Sequence, residues 1–295
     1  MRSNCNQLIK FIGIKYGRPI AAMTLPFPVP PGLLAPEFKM LPITDPNDAE
    51  QVAEVYYAAF QTDPGNTYWW SADTSAMMEW MIRRIRRKIA DPSVRHFKIV
   101  DTQSGGNEMV AFARWDVPKG SVAFGEWAGA AAGGVEVNGM KEVDATEPVG
   151  GLEEAVAKQK PVTGATEAPP PPDASPATLD VPRGADLELC RGFFDGLSRM
   201  SDKWMADDML GLSLIATSTK YFKKGAAKAL ILTMLNMADT QGHRTYLEAT
   251  PAGKPIYEKY GFREVDRLEF NLDELTKDRH GVYKLCIMIR EPVKR

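Results

Sequence analysis

Cysteine is scarce in this chain: Cys5, Cys190 and Cys286 are the only three in 295 residues, far apart and without paired metal-ligand spacing. That excludes a small disulfide-stapled scaffold and a cysteine-based metal centre, and it points to free thiols in a reducing compartment. Histidine is as rare: His96, His243 and His280 stand singly, so no metal site follows from spacing. Charge of one sign is also missing. A net charge of -2 and a pI near 6.0 leave no basic face for counterion release, so nucleic acid is not an expected partner. No apolar run is long enough to span a bilayer, and a membrane-embedded protein is not expected. A cytoplasmic location fits these features.

What is present is apolar content of 44%, enough for a proper core in one large domain or two small ones. The first 36 residues carry Arg2, Lys10, Lys15 and Arg18 with no acidic residue before Glu37. The charge sign suits a mitochondrial presequence, a weaker alternative location, but Pro19, Pro26, Pro28, Pro30 and Pro31 interrupt any helix. Residues 1–36 are expected to form a disordered or loosely docked extension. Texture changes again between about 118 and 186, which are rich in alanine, glycine and proline and poor in large apolar residues. This stretch is expected to be a low-complexity disordered insertion into a single domain running from 37 to 295.

Periodicity supplies the elements. EFKMLPITDPNDAEQVAEVYYAAF predicts a strand, a turn capped at Asp45 and a helix with Val52, Val55, Tyr56 and Ala59 inward. A second helix is predicted over Trp69 to Ala90, with Trp69, Trp70 and Trp80 as core or as the wall of an acceptor site. Its RRIRRK run, Arg83 to Lys88, is expected to be a solvated face. HFKIVD and EMVAFARWDV form a hairpin about QSGGN. LELCRGFFDGLSRMSDKWMADD gives a helix, and VDRLEFNLDEL and GVYKLCIMIREPV give two more strands.

The most informative stretch runs from Leu210 to Phe262. LGLSLIAT is an apolar strand, and the basic turn after it opens a helix near Gly225 that is apolar almost all round. The first turn of a helix leaves backbone N–H groups unpaired at the positive end of the peptide dipoles, which suits an anion. Gly225, Ala226 and Ala227 let a pyrophosphate come close to the backbone, and Lys223, Lys224 and Lys228 add charge around it. RTYLEATPAG reads as a strand and PIYEKYGF as a short helix carrying Tyr257 one turn before Gly261.

These segments resemble the GNAT superfamily of acyl-CoA-dependent N-acetyltransferases, and within it a branch common in fungi with a strand like YLEAS-P-G and a helix like LYEKLGF. The matching residues are Tyr246, Leu247, Glu248, Ala249, Thr250, Pro251 and Gly253, then Ile256 to Phe262. The family's pyrophosphate signature, Q/R-x-x-G-x-G/A, aligns with Phe222-Lys223-Lys224-Gly225-Ala226-Ala227, with an aromatic where the family has a polar residue.

The resemblance implies an α/β (α+β) fold: a mixed central sheet, splayed between its fourth and fifth strands, with helices on both faces. It implies acetyl-CoA as co-substrate and a primary amine, of a small molecule, as acceptor. Backbone groups of Leu214, Ile215 and Ala216 would pair with the pantetheine, Lys223 to Lys228 would hold the pyrophosphate, and Tyr257 would protonate the departing thiolate. Relatives often read LELLATHP in the fourth strand, and Ser213 replaces their carboxylate here; Glu248 on the next strand is the nearest substitute in sequence, its direction set by strand alternation. Two other readings remain: a catalytically weak CoA-binding or interaction protein, motivated by Phe222 and Ser213, and a protein N-acetyltransferase. Oligomeric state is not encoded in any visible pattern.

Overall fold

A computed structural model describes residues 25, 27–63, 65–121 and 179–294. Its strands are β1 (Phe38–Ile43), β2 (Val94–Asp101), β3 (Glu108–Asp116), β4 (Leu210–Thr217), β5 (Thr245–Ala249), β6 (Arg263–Asn271) and β7 (Val282–Arg290). They form one sheet in the order β1-β2-β3-β4-β5-β7-β6. Every neighbouring pair is antiparallel except β4 and β5, which are parallel. The helices are α1 (Ala49–Phe60), α2 (Thr74–Ala90), α3 (Leu187–Trp204), α4 (Ala226–Gln241), α5 (Lys254–Glu258) and α6 (Leu272–Leu275).

The sheet separates two apolar layers. On one face Leu230, Ile231, Met234 and Leu235 of α4 pack with Phe97, Ile99, Leu212, Leu247 and Tyr257; on the other Val52 of α1, Trp80 and Met81 of α2 and Phe193 and Phe194 of α3 pack with Phe112 and Leu285. This is the mixed, splayed α/β arrangement that the resemblance implied, with helices on both faces.

The splay is visible in the pairing. β4 and β5 share three rungs, Leu210 with Thr245, Gly211 with Tyr246 and Leu212 with Leu247, and then part. On its other edge β4 stays with β3 as far as Thr217, but the register skips Ser213, because Arg114 lies opposite Leu214 and Trp115 opposite Leu212. Two residues then face one, which bends a strand and re-aims its side chains. The bulge sits where the strands separate.

Local chemistry explains the helix starts. Asp73 caps α2 by accepting from the N–H groups of Ser75 and Ala76, and Asp186 caps α3 by accepting from those of Glu188 and Leu189. α4 differs: Gly225 is its N-cap, in the left-handed region at φ 84°, and no side chain among the described residues caps it.

Several expectations are refined. The second helix starts at Thr74, after Asp73, so Trp69 and Trp70 lie in the turn before it. LDEL, expected as the end of a strand, is the short helix α6, and β2 starts two residues before His96, which is buried within it. Leu187, the first residue of the apolar helix pattern, is exposed at the start of α3. The basic run of α2 is not simply solvated. Arg83 and Arg87 both pair with Asp180, whose carbonyl also accepts from Trp80 Nε1 at 2.9 Å, and Arg86 pairs with Glu50.

Most of the N-terminal extension and of the insertion lies outside the described residues, as does Cys5. The described end of the extension is packed: Phe27 is buried against Phe97, with ring centroids 5.8 Å apart. The described end of the insertion is tied to α2 through Asp180, and to Ser71, whose Oγ donates to the Arg183 carbonyl at 2.7 Å.

Candidate active site

Where β4 and β5 part, a cavity of about 1220 Å³ opens, lined from both faces of the sheet. One half is formed by Phe222 to Lys228, Ile231, Thr250 to Gly253, Tyr257 and Tyr260, and the other by side chains of α1, α2 and α3 with Arg114, Leu285 and Tyr283. Leu214, Ile215 and Ala216 line it too, and beyond Leu212 no strand among the described residues pairs with the β5-facing edge of β4. Their backbone groups are therefore available on that side, as an extended ligand laid along the strand requires.

At the α4 end, all six sequence-predicted anion-site residues come together. Lys223, Lys224 and Lys228 are exposed, Ala226 is buried, and Gly225 and Ala227 are half-buried at the helix mouth. Lys223 adopts φ 64°, unusual for a residue with a side chain. Tyr221 anchors the turn: it is buried, and its hydroxyl donates toward Asp101 Oδ2 at 3.1 Å and Glu108 Oε2 at 3.0 Å. The ammonium of Lys224 lies 4.9 Å from the centroid of the Tyr221 ring. Phe222, in the position where the resemblance has a polar residue, is 53% exposed at the cavity rim.

Tyr257 is buried in α5 against Phe262, and it lines the cavity. Among the described residues its hydroxyl makes no hydrogen bond. Burial pushes its pKa up to about 12, so the group keeps its proton. α5 is fixed from below, because the Nε of Arg290 donates to the Tyr260 carbonyl at 2.9 Å.

Glu248 lines the cavity from β5. Strand alternation puts it on the same side as Tyr246, whose hydroxyl donates to Glu248 Oε1 at 2.6 Å, whereas Leu247 and Ala249 face the α4 layer. Its carboxyl titrates at about 7: loss of hydration raises it, opposed by the bond from Tyr246, with Asp116 raising it further and Arg114 lowering it. A carboxylate tuned to neutrality suits proton abstraction at physiological pH.

Ser213 is bound up with Arg114, whose Nε donates to Ser213 Oγ at 2.8 Å. Arg114 was not singled out from the sequence, although one charged residue amid MVAFARW was a legible signal. Behind it, His96 is pushed down to about 3, mainly by burial and then by the Arg114 charge, and so stays neutral. Tyr56, Arg84, Asp63 and Tyr283, also not anticipated, complete this half of the cavity. Trp69 and Trp80 are almost wholly buried, as core residues are, and both also touch the cavity, whereas Trp70 does not line it.

Residues 199–275 match the family model of the acetyltransferase (GNAT) domain. The GNAT match covers the end of α3 and then β4, α4, β5, α5, β6 and α6, the segment that builds the turn before α4 and both edges of the split, and it supports acetyl transfer as the chemistry. No curated protein matches the chain in sequence. Among solved structures, it is similar to a histone acetyltransferase HPA2 and related acetyltransferase from Corynebacterium glutamicum, at 17% identity and a TM-score of 0.47, over 88% of this chain and 98% of that one. It is also similar to the ribosomal-protein-S18-alanine N-acetyltransferase of Escherichia coli, at 13% identity and a TM-score of 0.43, over 88% and 96% of the two chains. No helix among the described residues is long and apolar enough to cross a membrane.

Proposed function

We propose that the protein is an N-acetyltransferase that moves an acetyl group from acetyl-CoA to a primary amine of a small molecule, in the GNAT branch suggested by its YLEAT and IYEKYGF segments. The observation that carries this is the cavity itself, which joins an uncapped helix mouth flanked by lysines to a carboxyl titrating near 7 through a gap between two parallel strands.

The residues fit the co-substrate. N–H groups at the start of α4, with Lys223 and Lys228, hold the diphosphate; a Cβ on Gly225 would force a left-handed backbone on a residue that resists it. The free edge at Leu214, Ile215 and Ala216 hydrogen-bonds the pantetheine amides. Glu248 accepts the ammonium proton of the acceptor, the amine nitrogen bonds to the thioester carbon, the C–S bond breaks, and the second proton shed by the new amide nitrogen passes to the departing thiolate. Tyr257 donates a hydrogen bond to the departing sulfur. A thiol titrates at about 8.5, well below this phenol, so Tyr257 stabilises the thiolate more readily than it surrenders its proton.

Calorimetry with acetyl-CoA followed by mass spectrometry of an amine library tests the reading. Absence of affinity for coenzyme A and its acyl forms would refute it. Tyr257→Phe is expected to lower kcat by roughly 10-fold to 100-fold, the range of a single lost donor to a developing charge, while the dissociation constant of coenzyme A changes less than about 2-fold. Equal losses in both would assign Tyr257 to packing.

A further inference from the structure

The cavity half remote from α4 combines apolar walls with concentrated positive charge. Tyr56, Trp69, Trp80, Phe193 and Phe194 line it, and Arg114 from β3 and Arg84 from α2 share the same wall. The Arg84 guanidinium carbon lies 4.9 Å from the Trp80 ring centroid and 5.1 Å from that of Phe194. Arg114 is half-buried, uses Nε on Ser213, and forms no ion pair among the described residues. Burial raises the Tyr56 phenol and the charges of Arg114 and Arg84 oppose that rise, and the Arg114 charge likewise lowers Glu248 against its burial. Of the two carboxylates lining the cavity, Asp63 accepts from the N–H of Gly65 at 3.1 Å and from the Tyr283 hydroxyl at 3.4 Å.

Two guanidinium groups repel a plain ammonium or a polyamine, whereas their planar forks match a carboxylate. Arg114, half-buried in an apolar chamber with its Nη groups unbonded among the described residues, is stabilised by an incoming anion. Because Arg114 neighbours both Glu248 and the aromatic wall, the anion and the reacting amine belong a few bonds apart in one molecule. We propose that the acceptor is an amino acid: its amine is presented to Glu248, its carboxylate is held by Arg114 with Arg84, and its apolar body lies on the Trp80 and Phe194 wall. This rests on the acetyl-transfer reading above and names the acceptor class of that site.

The test compares free amino acids, each with its amide, and phenylalanine with phenethylamine, as acceptors with acetyl-CoA. The wild type is expected to favour carboxylates over their amides by about 10-fold to 100-fold in kcat/KM, mostly through KM, the worth of charge-assisted hydrogen bonds. Arg114→Gln should raise KM for phenylalanine by a similar factor and leave KM for phenethylamine nearly unchanged. Arg114→Lys should recover only part of the loss, because it keeps the charge and loses the fork. Arg84→Gln, on the half-exposed α2 wall, gives the same split if Arg114 variants fail to fold. Acetylation of amides and phenethylamine as efficiently as of the acids, or no acid acetylated by protein that binds acetyl-CoA, overturns this assignment while leaving acetyl transfer intact. Equal losses for both acceptors in the arginine variants overturn it as well. No affinity for coenzyme A overturns both readings.

Discussion

Glu248→Gln is expected to lower kcat by about 10²-fold to 10⁴-fold, the usual contribution of a positioned general base, with coenzyme A affinity retained. The reason lies in the half-buried carboxyl itself, which titrates at about 7 and shares its side of β5 with Tyr246. Only the ionised form takes a proton, so wild-type kcat/KM should rise with pH through about 7, and the residual activity of Glu248→Gln should lack that limb. Stability runs the other way. The folded pKa lies above the unfolded value, so the protonated carboxyl supports the fold fully at low pH, and that support is lost as pH rises through about 7. The Gln variant should therefore melt above the wild type at pH 8 and lose that advantage in acid. A normal rate with an unshifted profile would remove Glu248 from the chemistry.

Asp239→Ala is expected to cost about 3–5 kcal/mol of folding stability, the penalty for stranding a buried partner charge. Asp239 on α4 meets Arg290 on β7 in a bidentate pair, with Nη1–Oδ1 at 2.7 Å and Nη2–Oδ2 at 2.9 Å, and both side chains are under a tenth exposed. Asp239 also accepts from the Val293 N–H at 2.8 Å, and Arg290 holds the Tyr260 carbonyl. Removing the carboxylate thus leaves the guanidinium unpaired and loosens the support of α5. Denaturant midpoints measure the loss. A double variant, Asp239→Leu with Arg290→Met, should lose clearly less than the single one, because an apolar pair of similar volume leaves no buried charge. If the single variant lost under about 1 kcal/mol, the pair would have behaved like one at the surface.

Elements with strong local signals were legible in the sequence. The hairpin about QSGGN formed as β2 and β3, and Gly225 and Gly261 mark the turns at which α4 begins and α5 has ended, both with positive φ. The candidate anion site at the start of α4 was legible because it is contiguous: glycine, two alanines and three lysines need no tertiary contact to meet. The other half of the cavity was not, since Tyr56, Asp63, Arg84, Arg114 and Tyr283 come from four separate stretches and converge only through sheet order. The start of α2 was misplaced because the tryptophans continue its apolar pattern, while the Asp73 side chain sets the actual boundary. The basic run looked solvated because Asp180, which binds it, lies 93 residues beyond Arg87. The bulge at Ser213 leaves no mark on composition at all; it is a register between two strands.

The parting of β4 from β5 makes the sheet a partition with a slit in it. In the acetyl-transfer reading proposed above, co-substrate and acceptor come from opposite sides of that slit and meet edge-on, so neither need leave for the other to dock. Kinetics should accordingly be sequential, and free coenzyme A should compete with the acyl carrier but not with the amine. A single molecule that tethers the two ligands would have to be threaded through the slit like a bolt through a plate.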